Sequence, residues 1–149
     1  MTVGTLCNRT VIVAPRSTRV DAAARLMREH HVGSLVVVDA TAIGNKAAGV
    51  VTDRDVVIEL VASGVDPATV TIGEIMAPEL VIAREADDPL DTLNKMRAKG
   101  VRRVPVVNGD GVLVGILAMD DLLGTLSEQL QGMVRTIAQE QAREARLRK

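Results

Sequence analysis

Two carboxylates and two guanidinium groups stand out in this sequence as candidates for binding a small anionic ligand. Asp55 and Asp121 each lie six residues after a glycine, where an apolar strand pattern gives way to a helical one. Such a junction directs backbone N–H groups and the positive end of the helix dipole outward. Arg102 and Arg103 precede another apolar segment and offer planar donors for phosphate oxygens. These residues indicate a site for a phosphorylated molecule, with the carboxylates accepting hydrogen bonds from paired hydroxyls such as those of a ribose.

A second interpretation of the same residues is local and structural. Thr52 and Asp55 have the spacing of a helix capping box, in which both side chains satisfy backbone donors. Alternatively, the Thr52 hydroxyl donates to a phosphate. At the corresponding place in the second half of the chain Ala118 lacks the hydroxyl, whereas Asp121 keeps the carboxylate. That difference favours a role for the carboxylates beyond capping.

The second half of the chain repeats the pattern of the first. Residues 71–107 superimpose on residues 2–38 without a gap, at an offset of 69 that places Thr71 on Thr2. After a shorter loop in the second copy, residues 115–121 superimpose on residues 49–55. Few positions are identical, but apolar spacing, glycines and acidic residues recur together, which indicates an internal duplication. We expect the halves to pack about a pseudo-twofold axis, so that clefts between them occur in related pairs.

The composition limits the possible classes of function. The 149 residues are 47% apolar yet include no Phe, Tyr or Trp, so we expect an aliphatic core and no aromatic stacking on a bound base. A net charge of −1 argues against a dedicated nucleic-acid binder, and no apolar run approaches the roughly 18 residues that span a membrane. The N-terminus lacks a secretory signal pattern. With the single Cys7, which fits a reducing compartment, these features predict a cytoplasmic protein.

The periodicity predicts an α+β arrangement in each half: a helical turn, a strand, a helix, two strands and a second helix. The helices are expected at residues 3–6, 21–31, 72–76 and 89–99, with others beginning near Asp55 and near Met119. The strands are expected at residues 11–13, 34–39, 48–51, 80–82 and 112–117, with polar turns at 40–47 and 108–111. Asp110-Gly111 is a hairpin signal, so we expect antiparallel pairing of the strands on either side.

Four segments carry a resemblance to a known family. The sequences GVVTDRD at 49–55, GILAMDD at 115–121, VGSLVVV at 32–38 and VRRVPVV at 101–107 resemble the hallmark segments of cystathionine-β-synthase (CBS) domains. The resemblance covers residues 2 to about 125. It implies a tandem pair (a Bateman module) of β-α-β-β-α repeats at 2–66 and 71–125, related by a pseudo-twofold axis, and a C-terminal helical tail at 126–149. Similar modules sense AMP, ADP, ATP, NAD(H) or S-adenosylmethionine, and pair into flat dimers.

The resemblance also implies how the candidate residues are grouped. In the family, each cleft combines the ribose-binding aspartate of one repeat with the first strand and the second-strand entrance of the other. Two ligand-binding clefts are therefore expected, one with Thr52, Asp55, Val81, Arg102 and Arg103, the other with Asp121, Ile12, Gly33 and Ser34. The second has Ala118 in place of the threonine and Gly33-Ser34 in place of the paired arginines, so we expect an adenine nucleotide to bind first in the first cleft.

Other residues give weaker signals. His30-His31 has no Cys or acidic partner at metal-ligand spacing, so we expect a solvated helix end and no metal site. Arg54 is either a phosphate contact or a surface residue. Ser34, Ser63 and Ser127 lack a nucleophile motif, and no set of nucleophile, base and acid is visible, so we expect no enzymatic activity and no catalytic cofactor.

The tail departs from the repeat. Its apolar residues recur at three- and four-residue intervals on what we expect to be one long helix: Leu123, Leu126, Leu130, Met133 and Ile137. This stripe either folds back on its own subunit or pairs with the same helix of a second subunit, and a homodimer is expected. Two functions are expected: a regulatory sensor of an adenosine-containing small molecule, whose dimer shape is read by an effector protein, or a ligand-free dimerisation scaffold.

Overall fold

The computed structural model describes residues 1–148 and confirms the α+β class, with two similar halves and a long C-terminal helix. Lys149, the last residue of the predicted tail, lies outside the described residues. The helices are α1 (Val3–Leu6), α2 (Val20–His30), α3 (Asp53–Val56), α4 (Ile72–Ile75), α5 (Pro89–Lys99) and α6 (Met119–Leu147). The strands are β1 (Val13–Pro15), β2 (Ser34–Thr41), β3 (Gly44–Thr52), β4 (Ala83–Arg84), β5 (Arg103–Val107) and β6 (Leu113–Ala118). A π-helical turn, Val57–Val61, directly continues α3.

Each half contains a three-stranded sheet with the same topology. β1 pairs in parallel with β2, which pairs antiparallel with β3, and the order β4-β5-β6 repeats this arrangement. The predicted antiparallel pairing on either side of Asp110-Gly111 is therefore confirmed. The predicted polar turn at 40–47 was too long, because β2 continues to Thr41 and β3 begins at Gly44. Gly44 has a φ of 138°, a conformation that glycine adopts without strain.

The first strand of each half begins later than predicted, and Pro105 explains why the second one is so short. In the first half the Val36 N–H donates to the Ile12 carbonyl (3.1 Å), which leads into β1. Pro105 occupies the corresponding position in the second half and has no N–H, so this hydrogen bond cannot form there. The parallel ladder is consequently reduced to Ala83 and Arg84.

The two aliphatic cores exchange their short helices. Ile72 of α4 is fully buried in the core that also contains Leu35 and Leu60 of the first half. Val3 of α1 is fully buried in the core that contains Met96 and Leu117 of the second half. The exchange is fixed by backbone hydrogen bonds, among them Val3 N–H to the Asp87 carbonyl (3.0 Å) and Ile72 N–H to the Thr18 carbonyl (2.8 Å). The helical turn that begins each half in sequence therefore completes the core of the other half.

The two long helices of the repeats begin differently and end alike. α5 begins at Pro89, whose missing N–H costs nothing in a first turn, and the Asp88 side chain accepts from the Leu90 and Asp91 amides. The residues that follow them, Gly100 after α5 and His31 after α2, are both in the left-handed conformation. His30 and His31 are exposed at this helix end.

Candidate functional site

The structure forms two clefts at the meeting of the two halves, and the strand-to-helix junctions of both repeats line them. The first cleft has a volume of about 500 Å³. Its lining residues are Val50, Thr52, Asp53, Arg54, Asp55, Ala77, Gly100, Val101, Arg102 and Arg103. Four of the five residues predicted for it (Thr52, Asp55, Arg102 and Arg103) therefore lie together. The volume is in the range of small-molecule sites.

The second cleft is smaller, with a volume of about 260 Å³. Its lining residues are Asn8, Thr10, Val11, Ile12, Val32, Gly33, Ser34, Arg103, Ile116, Ala118, Asp120 and Asp121. All four residues predicted for it (Ile12, Gly33, Ser34 and Asp121) are present. Arg103, which was predicted for the first cleft alone, lines both.

Val81 is the predicted site residue that the structure does not place on a cleft wall. It is 8% exposed and packs in the core of the second half, beside Val104 and Met96. The apolar wall of the first cleft is instead formed by Val50 and Val101. A ligand contact by Val81 stays a prediction.

The carboxylate of Asp55 is held by a capping box. Its Oδ2 accepts from the Thr52 N–H (2.9 Å), and the Thr52 hydroxyl oxygen accepts from the Asp55 N–H (3.1 Å). In the second half, Asp121 Oδ2 accepts from the Ala118 N–H (2.9 Å). Both carboxylates are half-buried, and neither Oδ1 has a hydrogen-bond partner among the described residues. One oxygen of each aspartate is therefore fixed by the fold, while the other is available to a ligand, so capping and ligand binding are compatible.

The first amides of α3 are already used within the protein. The Asp53 N–H donates to the Gly33 carbonyl (3.0 Å), the Arg54 N–H to Asp53 Oδ1 (2.8 Å) and the Asp55 N–H to Thr52. The predicted free N–H groups at this junction are therefore occupied. An anion in the first cleft would depend on the guanidinium groups.

The arginines differ in their surroundings. Arg102 is 77% exposed and lies 3.7 Å from Asp120 Oδ1, a distance and exposure at which an ion pair contributes little to stability. Arg103 is half-buried, and its guanidinium forms no hydrogen bond or ion pair with any described residue. Three arginines and two aspartates line the first cleft, whereas one arginine and two aspartates line the second. The electrostatic environment of the first cleft is therefore more favourable to phosphate.

Several lining residues were missed by the sequence analysis, although the repeat itself could have indicated some of them. Asn8 in the second cleft and Ala77 in the first occupy equivalent positions at the offset of 69. Arg54 in the first cleft and Asp120 in the second are likewise equivalent at the offset that places residue 115 on residue 49. Projecting Arg54 through the repeat would have added Asp120. No local motif marks Thr10.

A family comparison identifies the class of protein that this fold and this pair of clefts define. The model of the CBS domain matches residues 3–62 and again residues 72–128. The chain belongs to the CBS domain family and contains a tandem pair of these domains. CBS domain pairs are in general regulatory, non-catalytic modules.

Two relatives are similar over most of this chain. Hypoxic response protein 1 of Mycobacterium tuberculosis is 37% identical over 107 residues, which are 72% of either protein. An uncharacterized protein of Methanopyrus kandleri is 36% identical over 124 residues, or 83% of this chain. The chain spans only 61% of the length of that archaeal protein.

Solved structures share the whole architecture of the pair. A crystal structure of Hypoxic Response Protein I with two coordinated zinc ions has a TM-score of 0.71 at 33% identity, covering 83% of this chain and 97% of that one. The CBS domain pair of protein MJ0100, in complex with 5′-methylthioadenosine and S-adenosyl-L-methionine, has a TM-score of 0.74 at 25% identity. That comparison covers 87% of this chain and 98% of the other.

Within residues 1–148, no group of three or more His, Cys, Asp or Glu side chains is placed to hold a metal ion. Among the same residues, no helix combines the length and the apolar character needed to cross a membrane.

Proposed function

We propose that this protein is a cytoplasmic regulatory sensor that binds an adenine nucleotide, AMP, ADP, ATP or NAD(H), in the clefts between its CBS repeats. One observation carries the proposal: in both repeats an aspartate at a strand-to-helix junction lines a cleft, with one carboxylate oxygen fixed by the fold and the other without a hydrogen-bond partner among the described residues. A carboxylate oxygen in this position accepts hydrogen bonds from ribose hydroxyls. The protein acts by binding, as CBS domain pairs in general do.

The remaining parts of a nucleotide fit the first cleft. Phosphate oxygens match the guanidinium groups of Arg102 and Arg103 on its wall. The base packs between aliphatic side chains such as Val50 and Val101, since the protein has no aromatic residue. The volume of about 500 Å³ accommodates a mononucleotide better than the second cleft does.

S-adenosylmethionine is the alternative ligand. The MJ0100 domain pair, at 25% identity, was crystallised with this compound and with 5′-methylthioadenosine, both of which contain adenosine without phosphate. Such a ligand suits the second cleft of the present protein, where fewer cations line the wall. The shared adenosine is what the two aspartates recognise in either case.

The composition makes a direct test possible. Because the chain has no Trp, Tyr or Phe, it absorbs almost nothing at 280 nm, and a band near 260 nm in the purified protein reveals a bound base. Mass spectrometry of the released compound identifies it, and calorimetry with AMP, ATP, NAD⁺ and S-adenosylmethionine on the stripped protein measures each affinity. Absence of binding by all of these compounds would refute the proposal.

A ligand-free dimerisation scaffold is the second candidate function. Ala118, which removes the hydroxyl that Thr52 supplies in the first repeat, is the observation that favours it. A scaffold of this kind forms its dimer with both clefts empty. This alternative therefore predicts no thermal stabilisation of the protein by any adenosine compound.

We also propose that the protein forms a homodimer. From Leu126 onward every described residue of α6 is exposed, so the alternative in which the tail folds back on its own subunit does not describe this structure. The apolar stripe of the tail is therefore left in water: Leu130 is 64% exposed, Met133 63% and Ile137 56%. At its base the stripe continues into an apolar groove of about 280 Å³ between α5 and α6. A second copy that covers this continuous surface removes apolar area from water.

A further inference from the structure

We infer that the guanidinium of Arg103 serves both clefts, so that a phosphate bound in one cleft weakens the binding of a phosphate in the other. The inference rests on the proposed function, since it assigns one residue to both ligand sites. The sequence provides paired arginines on one side of the pseudo-twofold axis only. The structure places the second of them at the border of the two clefts.

The pseudo-symmetry shows why one arginine is shared. At the offset of 69, Arg102 corresponds to Gly33 and Arg103 to Ser34. The second cleft therefore has no arginine of its own at these positions. Arg103 nevertheless lines its wall together with Gly33 and Ser34.

The absence of a side chain at Gly33 leaves space for the guanidinium of Arg103 beside the second cleft. A Cβ added to Gly33 would lie 3.7 Å from Nη2 of Arg103 and 3.2 Å from Oδ2 of Asp53. A longer side chain at this position would extend into the region that the guanidinium occupies. The pairing of glycine on one side of the axis with arginine on the other thus gives one cation access to two cavities.

The guanidinium of Arg103 is available to a phosphate in either cleft. Its guanidinium has no ion-pair partner among residues 1–148, whereas Arg102 lies beside Asp120. A half-buried cation without a partner gains more from an added anion than an exposed one does. One guanidinium binding one phosphate bidentately presents its best donors in a single direction. Two phosphates therefore compete for it, and the coupling between the sites is negative.

The test uses AMP and adenosine as probes, since they differ only in the phosphate, on the intact chain. Asp55→Ala leaves the second cleft as the principal site, and Asp121→Ala leaves the first. In the Asp55→Ala background we expect Arg103→Ala to weaken AMP binding roughly tenfold or more, and Arg102→Ala to have a far smaller effect. In the Asp121→Ala background both arginine substitutions weaken AMP. Adenosine is the control because it has no phosphate: loss of the guanidinium contact leaves its binding unchanged, whereas a distorted cleft weakens it.

Coupling gives the second readout. In the unsubstituted protein the second AMP should bind several-fold more weakly than AMP binds to the Asp55→Ala variant, and this difference should disappear with adenosine. If Arg103→Ala weakens AMP only in the Asp121→Ala background, the inference is wrong while the proposed function stands. If the unsubstituted protein binds neither probe, both are wrong. Melting curves establish that each variant is folded. If Asp55→Ala does not fold, Asp55→Asn replaces it, because asparagine keeps a side-chain oxygen for the Thr52 N–H.

Discussion

At the scale of residues, the two oxygens of each junction aspartate differ: one makes a capping contact, and the other has no hydrogen-bond partner among the described residues. Oδ2 of Asp55 caps the Thr52 amide, and Oδ2 of Asp121 caps the Ala118 amide. The capping contact orients the carboxylate before any ligand arrives, which reduces the entropy lost on binding. Under the proposed function, the capping motif and the ligand site are therefore the same arrangement of atoms.

The first prediction compares the two aspartates. Asp55→Ala should weaken the binding of AMP, ADP, ATP or NAD(H) far more than Asp121→Ala does, because the first cleft is larger and richer in arginine. Loss of charged hydrogen bonds from a partly buried site costs about 1.5–3 kcal/mol, roughly tenfold to a hundredfold in affinity. Calorimetry measures both variants, with Asp55→Asn as the control that keeps a cap. The opposite order of the two effects would reverse the assignment of the clefts.

At the scale of elements, the two glycines that precede the junctions are sites of close packing. A Cβ at Gly49 would lie 2.6 Å from Sδ of Met76, at the end of a flexible side chain. A Cβ at Gly115 would lie 2.7 Å from Sγ of Cys7 and 3.0 Å from the backbone oxygen of Asn8. That backbone is held by two hydrogen bonds to Ile116, each 2.9 Å long, so it cannot easily move away.

The second prediction follows from this difference. Gly115→Ala should lower the free energy of unfolding by about 1–3 kcal/mol, the usual range for overpacking, and Gly49→Ala should lower it less. Denaturant titration of both variants gives the comparison. Equal effects would show that the contact of β6 with the segment at Asn8 adjusts as readily as Met76 does.

The third prediction concerns the short strand β4. Pro105→Val restores at this position the N–H that Val36 supplies in the first half. We expect hydrogen exchange to detect a protected amide at residue 105, donating to the carbonyl of Val81 as Val36 donates to that of Ile12. An amide at 105 that exchanges as fast as an exposed one would mean that proline is not the cause of the short ladder.

At the scale of the whole molecule, α6 joins the second repeat to a projecting apolar surface. Its first turns pack in the core through Leu122, which is 5% exposed, while every described residue beyond Leu126 is exposed. An isolated helix gains most of its stability from packing. The tail is therefore expected to depend on a second subunit for its order.

The fourth prediction tests this dependence. Leu130→Lys with Ile137→Lys should convert a dimer into a monomer or weaken it strongly, because charge replaces apolar contact on the stripe. The matched control, Gln131→Lys with Ala138→Lys, adds the same charge at the same spacing beside the stripe and should keep the dimer. Light scattering at micromolar concentration measures both, together with a chain stopped after Gly124. A monomeric mass for the intact protein would contradict the proposed homodimer, whereas a stable truncated dimer would contradict only the role of the tail.

The sequence by itself determined the duplication, the α+β class, the CBS family and most of the residues at each junction. These properties are local or periodic: the capping spacing of Thr52 and Asp55, the hairpin at Asp110-Gly111 and the proline start of α5 depend on neighbours in the chain. The strand boundaries were less accurate. Pro105 decides the length of β4 through a partner that lies far away in sequence.

The tertiary structure alone decided which segments complete which core and which arginine reaches which cleft. α1 and α4 exchange between the halves because their hydrogen bonds are made with the loops of the opposite repeat. Arg103 lies at the border of both clefts because the packing of the halves brings Gly33 within reach of its guanidinium. Neither fact is encoded in spacing along the chain, since each depends on how two similar surfaces meet across the pseudo-twofold axis.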